Sequence, residues 1–222
     1  MDFDSFTLAA STADLGEEPQ ARAHADCLEF RIDLADDPMA ALEAYDGELP
    51  ILATNRADWE GGEAEDEGRL GALSSALAYD VVEAIDVELA SILEGDADGV
   101  LGAAAEADVS VVVSSHDFDA TPPRPELIRT LTEAGKYGDV AKLAVTATSK
   151  ADTIALLSAT EQLTAHGDCV ATMAMGEIGR HTRAVAPVYG SKIGYAPVDP
   201  EQATAPGQYS LETLAGLVGS LG

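Results

Sequence analysis

The stretch "VSVVVSSHDFDATPPRPELIRTLTEAGKYGDVAKLAV", Val109 to Val145, decides the fold. It opens on an apolar run that ends in water-seeking residues, "SSHDF". It then crosses a proline-bounded segment with apolar residues at helical spacing, Pro125 to Lys136, and closes on a second apolar run, "VAKLAVTA". Short runs rich in β-branched residues read as buried strands, and the longer segment between them reads as an amphipathic helix. Strand, helix and strand in that order form a crossover, which joins two parallel strands.

Outward from this unit the same alternation covers the chain. The strand candidates are "SFTLAAS" (Ser5 to Ser11), "CLEFRID" (Cys27 to Asp33), "PILATNR" (Pro50 to Arg56), "AIDVELA" (Ala84 to Ala90), "VSVVVSSH", "VAKLAVTA", "CVATMAM" (Cys169 to Met175) and "AVAPVYGS" (Ala184 to Ser191). Helical patterns lie at Asp37 to Tyr45, Asp66 to Ala78, Leu89 to Ala105, Pro125 to Lys136 and Lys150 to Ala165. A weak one surrounds Ile178 to Ala184, and the last runs from Ser210 to Leu221. Eight strands in strict alternation with helices predict an α/β chain closed into a (β/α)8 TIM barrel rather than an open doubly wound sheet. A dinucleotide-binding sheet would want G-x-G-x-x-G after the first strand, where "AASTADLGEEP" stands instead.

Composition bounds the function. At 222 residues one core suffices and no Pro/Ser-rich linker divides the chain, so residues 1–222 are read as a single barrel domain. Twelve Lys plus Arg against 40 Asp plus Glu leave a net charge of −28, which excludes nucleic acid and anionic membrane as partners. The acids recur in "DLGEEP", "DLADDP", "EGGEAEDEG" and "EGDAD", between apolar runs, as a solvated surface would. Lysine occurs only at positions 136, 142, 150 and 192, and such an acidic, lysine-poor surface resembles that of proteins from salt-loving organisms. No apolar run reaches the length of a membrane span and "MDFDSFTLAAST" lacks the basic start of a signal peptide, so a cytoplasmic protein is expected. Cys27 and Cys169 have no C-x-x-C spacing and read as reduced thiols, with no metal site.

In such a barrel functional groups gather at the C-terminal ends of the strands. The second run ends with Glu29, Arg31 and Asp33, and the third in Arg56 followed by Glu60. His116 ends the fifth and Lys142 lies in the sixth. The seventh leads into "MGEIGRHTR" with Arg180 and Arg183, and "ATAPGQ" with Thr204 and Gln208 follows the eighth. Lys142 is the most informative, because a strand covered on both faces offers its ammonium no water, and it must point into the barrel or pair with a carboxylate such as Glu29. Desolvation lowers an amine's basicity, and a neutral amine attacks a ketone or aldehyde to form a Schiff base. The imine acidifies the neighbouring carbon, and His116 on the adjacent strand is suited to take that proton.

Taken together, "EFRID", "TNRADWEGG", "SSHDF", "AKLAV", "MGEIGRHTR" and "APGQ" resemble the type I 3-dehydroquinate dehydratases of the shikimate pathway, in the family's order from about Cys27 to Gln208. The resemblance implies that Lys142 forms the imine with the substrate 3-dehydroquinate, that His116 moves the protons, and that Glu60 orients His116. It further implies that Arg183 pairs with the substrate carboxylate and that Glu29, Arg31, Arg56 and Gln208 hold the ring hydroxyls or the carboxylate. No metal or organic cofactor is needed, since the protonated imine is itself the electron sink, and a homodimer is expected. Thr204 stands where the family usually has serine, and the short N-terminus leaves the closure of the barrel bottom open. Arg180, one helical turn before Arg183, reads as a surface partner for acids. A class I aldolase would also place a lysine on the sixth strand, and a non-catalytic metabolite-binding barrel would keep the pocket without turnover.

Overall fold

The structure, a computed structural model, describes residues 1–202 and 205–221. Its strands are β1 (Thr7–Thr12), β2 (Cys27–Arg31), β3 (Ile51–Thr54), β4 (Val82–Glu88), β5 (Ser110–Asp117), β6 (Val140–Thr146), β7 (Val170–Met175) and β8 (Ile193–Pro197). All neighbours pair in parallel, in the order β7-β6-β5-β4-β3-β2-β1-β8. At the seam between β7 and β8 the Lys192 amide donates to the Val170 carbonyl at 2.8 Å and the Thr172 amide to the Ser191 hydroxyl at 2.9 Å. The (β/α)8 barrel is therefore nearly closed.

Helices cover it: α1 (Glu18–Ala21), α2 (Pro38–Ala44), α3 (Arg69–Ala76), α4 (Leu89–Glu94), α5 (Asp98–Ala107), α6 (Arg124–Ala134), α7 (Lys150–Ala165), α8 (Gly176–Gly179), α9 (Thr182–Val185) and α10 (Leu211–Leu221). The best-matched prediction is α7, where Ser149 and Asp152 form a capping box that satisfies the first free amides. Two predictions need correction. The helix read over Leu89 to Ala105 is two, because Gly95 takes a φ of +87°, reachable at little cost only by glycine, and turns the chain between α4 and α5. The eighth strand is not Ala184 to Ser191: that run ends α9 and continues as a 3-10 turn over Ala186–Tyr189, and the strand is the following "IGYAP". Pro187 explains the difference, since it fits the first turn of a helix but has no N–H for an interior ladder.

Alternate side chains of each strand point inward, and this period sorts the lumen into layers. The floor is apolar, with Ala9, Cys27, Leu52, Ala84, Val112, Val140, Ala171 and Ile193 in one buried cluster. Phe3 belongs to the same cluster and plugs the floor from below, while the Ser110 hydroxyl holds the Met1 carbonyl at 2.6 Å. The barrel bottom is thus closed by residues 1–6, which contain no strand. Two residues further along β1 to β6 the lumen turns polar, with Ser11, Glu29, Thr54, Asp86, Ser114 and Lys142, while β7 stays apolar with Met173. Among the described residues no helix is long and apolar enough to cross a membrane.

Candidate active site

Above the apolar floor, β2 to β6 place Glu29, Thr54, Asp86, Ser114 and Lys142 in one inward layer, all buried. Lys142 sits opposite Ser114 in the ladder, and its Nζ donates to Asp86 Oδ2 at 2.8 Å. Glu29, the partner anticipated from sequence, is 3.9 Å away, because its oxygens are taken by the hydroxyls of Ser11 and Thr54. Tyr195 of β8 turns its ring face to the same ammonium, 4.3 Å from the ring centre, an attractive cation–π geometry.

Asp86 is the hub of this layer. It accepts from Arg56 Nη2 at 2.6 Å, from the Ser114 hydroxyl at 2.6 Å and from Lys142. Burial opposes its ionisation, but Arg56, Lys142 and these hydrogen bonds outweigh burial and hold it far below the usual carboxylate range. One layer higher, Glu88 accepts from Arg56 Nη1 at 2.8 Å and from Arg69. Arg56 is therefore committed to the protein's own acids. Neither Asp86 nor Glu88 was singled out from the sequence, although "AIDVELA" carries the same signal as "VAKLAV": charges inside an apolar run, here two residues apart on one face.

His116 reaches the mouth at the end of β5. Its backbone N–H donates to Glu60 Oε1 at 2.7 Å, and its Nδ1 lies 3.2 Å from the same oxygen. Burial, then the nearby Arg56 and Lys142 charges, push the imidazole well below its ordinary pKa, so it rests neutral. Burial lifts Glu60 to about 7 against the pull of Arg56, and its second oxygen, Oε2, has no partner. When Glu60 is ionised it accepts from Nδ1–H, which leaves Nε2 as the basic nitrogen.

The opposite wall, from β6 to β8, is apolar: Ala144, Met173, Met175 and Tyr195 line it. Over it stands Arg183 of α9, 4% exposed, whose Nε is buried without a hydrogen-bond partner among the described residues. Burial alone draws its guanidinium down to about 10. A buried cation without a partner is costly, and a planar fork of donors is the shape that binds a carboxylate. Gln208 lines the same cavity, its Oε1 accepting from the Ala205 amide at 3.1 Å. Arg31 also lines it but is held by Asp33 through Nε at 2.8 Å and through Nη2. Thr204 lies outside the described residues. The cavity measures about 520 Å³, counting its open mouth, and gathers Glu29, Arg31, Arg56, Glu60, His116, Lys142, Arg183 and Gln208. Among the described residues no cluster of His, Cys, Asp and Glu is arranged to hold a metal ion.

Comparison with known proteins agrees over the full length. The model of the type I 3-dehydroquinase family matches residues 7–222. A 3-dehydroquinate dehydratase of Haloarcula marismortui is 60% identical over 226 residues, covering 100% of this chain and 98% of its own. One of Halobacterium salinarum is 52% identical over 225 residues and covers 100% of both chains. The crystal structure of 3-dehydroquinate dehydratase from Geobacillus kaustophilus superposes with a TM-score of 0.87 at 29% identity, over 98% of this chain and 91% of that one.

Proposed function

The chain belongs to the type I 3-dehydroquinase family, and on that premise we propose that it dehydrates 3-dehydroquinate to 3-dehydroshikimate through an imine on Lys142. One observation carries the reading: a single cavity holds a lysine in a buried pair with Asp86, a neutral histidine one strand away, and an unpaired buried arginine over an apolar wall. Amine, base and carboxylate receptor are what this reaction asks of a site.

The substrate carboxylate enters on Arg183, ending that residue's lack of a partner. Lys142 adds its nitrogen to the C3 ketone, and two of its three ammonium protons leave with the former ketone oxygen as water, so that the third remains on a protonated imine. Asp86 then faces the protonated imine as it faced the ammonium, so the buried charge never loses its partner. The cationic imine draws electrons from C2, and His116 takes the C2 proton through Nε2. The electron pair released there moves in between C1 and C2 and expels the C1 hydroxyl, which leaves as water with the proton that His116 returns. Hydrolysis of the imine frees the product and restores Lys142. Glu60 keeps the hydrogen on Nδ1 throughout. Glu29, Arg31 and Gln208 hold ring hydroxyls, while Arg56 acts through Asp86 and Glu88.

Borohydride added during turnover tests this. It should reduce the imine and leave a stable adduct on the peptide containing Lys142, located by mass spectrometry. An adduct on Lys136, Lys150 or Lys192, or turnover without any trappable adduct, would overturn the assignment.

A further inference from the structure

Arg180, which reads from sequence as a surface partner for acids, does pair with one and makes a second contact besides. Its one ion pair among the described residues is with Glu177 at 3.5 Å, and that carboxylate is largely exposed. Its Nε is buried without a hydrogen-bond partner among the described residues, and its guanidinium carbon lies over the ring of Tyr209, 4.2 Å from the centre. Tyr209 follows Gln208, which lines the cavity, and Arg180 precedes Arg183 by one helical turn.

Two further contacts join the same two segments. The Gly176 amide donates to the Pro206 carbonyl at 3.1 Å. Gly207, with a φ of +80°, lies so close to Gly176 that a β-carbon would sit 2.6 Å from the Gly176 carbonyl oxygen and 3.3 Å from Arg180 Cβ. The segment after β7, which carries Arg183, and the segment after β8, which carries Gln208, are therefore fastened at Gly176–Pro206 and at Arg180–Tyr209. Both fastenings lie outside the cavity.

We propose that the Arg180–Tyr209 stack is a clasp that holds Gln208 over the cavity, making both of them positioning residues for substrate binding. The proposal rests on the dehydratase reading of the site. A clasp outside the cavity alters how well substrate is held and leaves the imine chemistry alone, so its loss should appear in KM. A cation–π contact of this kind corresponds to about a 2- to 30-fold change.

The test is steady-state kinetics with 3-dehydroquinate on Arg180→Ala, Tyr209→Leu, the double variant and Tyr209→Phe, together with amide exchange at Gly176 in the free protein. Arg180→Ala and Tyr209→Leu should each raise KM by that range with kcat changed less than about threefold, and the double variant should be no worse than either. Tyr209→Phe, which keeps the ring, should keep the wild-type KM. Exchange at Gly176 should quicken in the first two variants and stay slow in the last. Unchanged KM and exchange, additive losses, or a phenylalanine as damaging as leucine would overturn the clasp. Failure of the wild-type chain to turn over 3-dehydroquinate would instead remove the dehydratase reading, and Gly176 exchange would still decide whether the clasp exists.

Discussion

The lumen of the barrel and its outer surface carry the same residue types under opposite physics. Inside, the side chains of Glu29, Asp33, Glu60, Asp86 and Glu88 face those of Arg31, Arg56, Arg69, Lys142 and Arg183, all shielded from water. Five acids meet five bases, so the remaining 35 acids and 7 bases (40 − 5 and 12 − 5) carry the whole net charge of −28. The inner charges are neutralised by geometry, as in Arg56–Asp86 at 2.6 Å and Lys142–Asp86 at 2.8 Å. Apart from Glu18, which is buried and paired with Arg22, most of the others face solvent, where water and salt screen them. On the proposed reading the site lies where charge is balanced, because there a single group such as Arg183, whose Nε has no hydrogen-bond partner among the described residues, exerts a directed pull.

The sharpest way to break this comparison is Lys142→Ala. Turnover and borohydride trapping should both fall to background, the largest effect anticipated at any position. The barrel should survive, read by circular dichroism, because Asp86 keeps Arg56 and Ser114 and is not left as an uncompensated buried charge. Turnover that persists would remove the imine reading.

Next comes His116→Ala, which takes away the proton carrier and spares the amine. Turnover should drop by about 10²- to 10⁴-fold while an adduct on Lys142 remains detectable after reduction. Loss of the adduct along with turnover would mean that His116 also serves imine formation. Glu60→Gln should be milder, roughly tenfold, since it leaves imidazole in place and changes only its support. It should also alter the pH profile. Burial lifts Glu60 to about 7, so the carboxylate ionises as pH rises through that value and becomes the stronger acceptor for Nδ1–H. kcat/KM of the unmodified protein should therefore rise through an apparent pKa near 7, and that limb should be missing in Glu60→Gln. A limb that survives belongs to another group.

How much of this was legible in the sequence follows from the same division. Polarity inside an apolar strand has few explanations, so Lys142 and the strand-end residues His116, Arg56 and Arg31 pointed to a common mouth. Asp86 carried an equal signal and was passed over, because an acid in a chain with 40 acids does not stand out as a lysine does in a chain with four. The eighth strand was misplaced because periodicity cannot separate a 3-10 turn from a short strand, and only the missing N–H of Pro187 could have shown it. Pairing between segments is not encoded in spacing at all. That is why neither the Arg180–Tyr209 contact nor the closer approach of Lys142 to Asp86 than to Glu29 is visible in the sequence.

The smallest effect tests the outer region alone. Its acids are spread over the surface with few bases among them; of the arginines before residue 124, Arg31, Arg56 and Arg69 are buried and only Arg22 reaches solvent. Their mutual repulsion acts through water and is cut as the Debye length shrinks from about 10 Å at 0.1 M salt to about 3 Å at 1 M. The unfolded chain spreads the same charges further apart, so screening helps the folded state more. Thermal midpoints measured across KCl concentrations should rise, by about 2–4 °C for each kcal/mol of repulsion relieved in a chain of this size. The lumen should not respond in step: the Lys142–Asp86 pair is 2.8 Å apart and buried, where salt screens little, so the yield of trapped adduct at saturating substrate should stay level over the same range. A flat midpoint would show that the outer acids are compensated locally, and a trapping yield that moves with salt would show that the lumen is not sealed from the solvent that governs the surface.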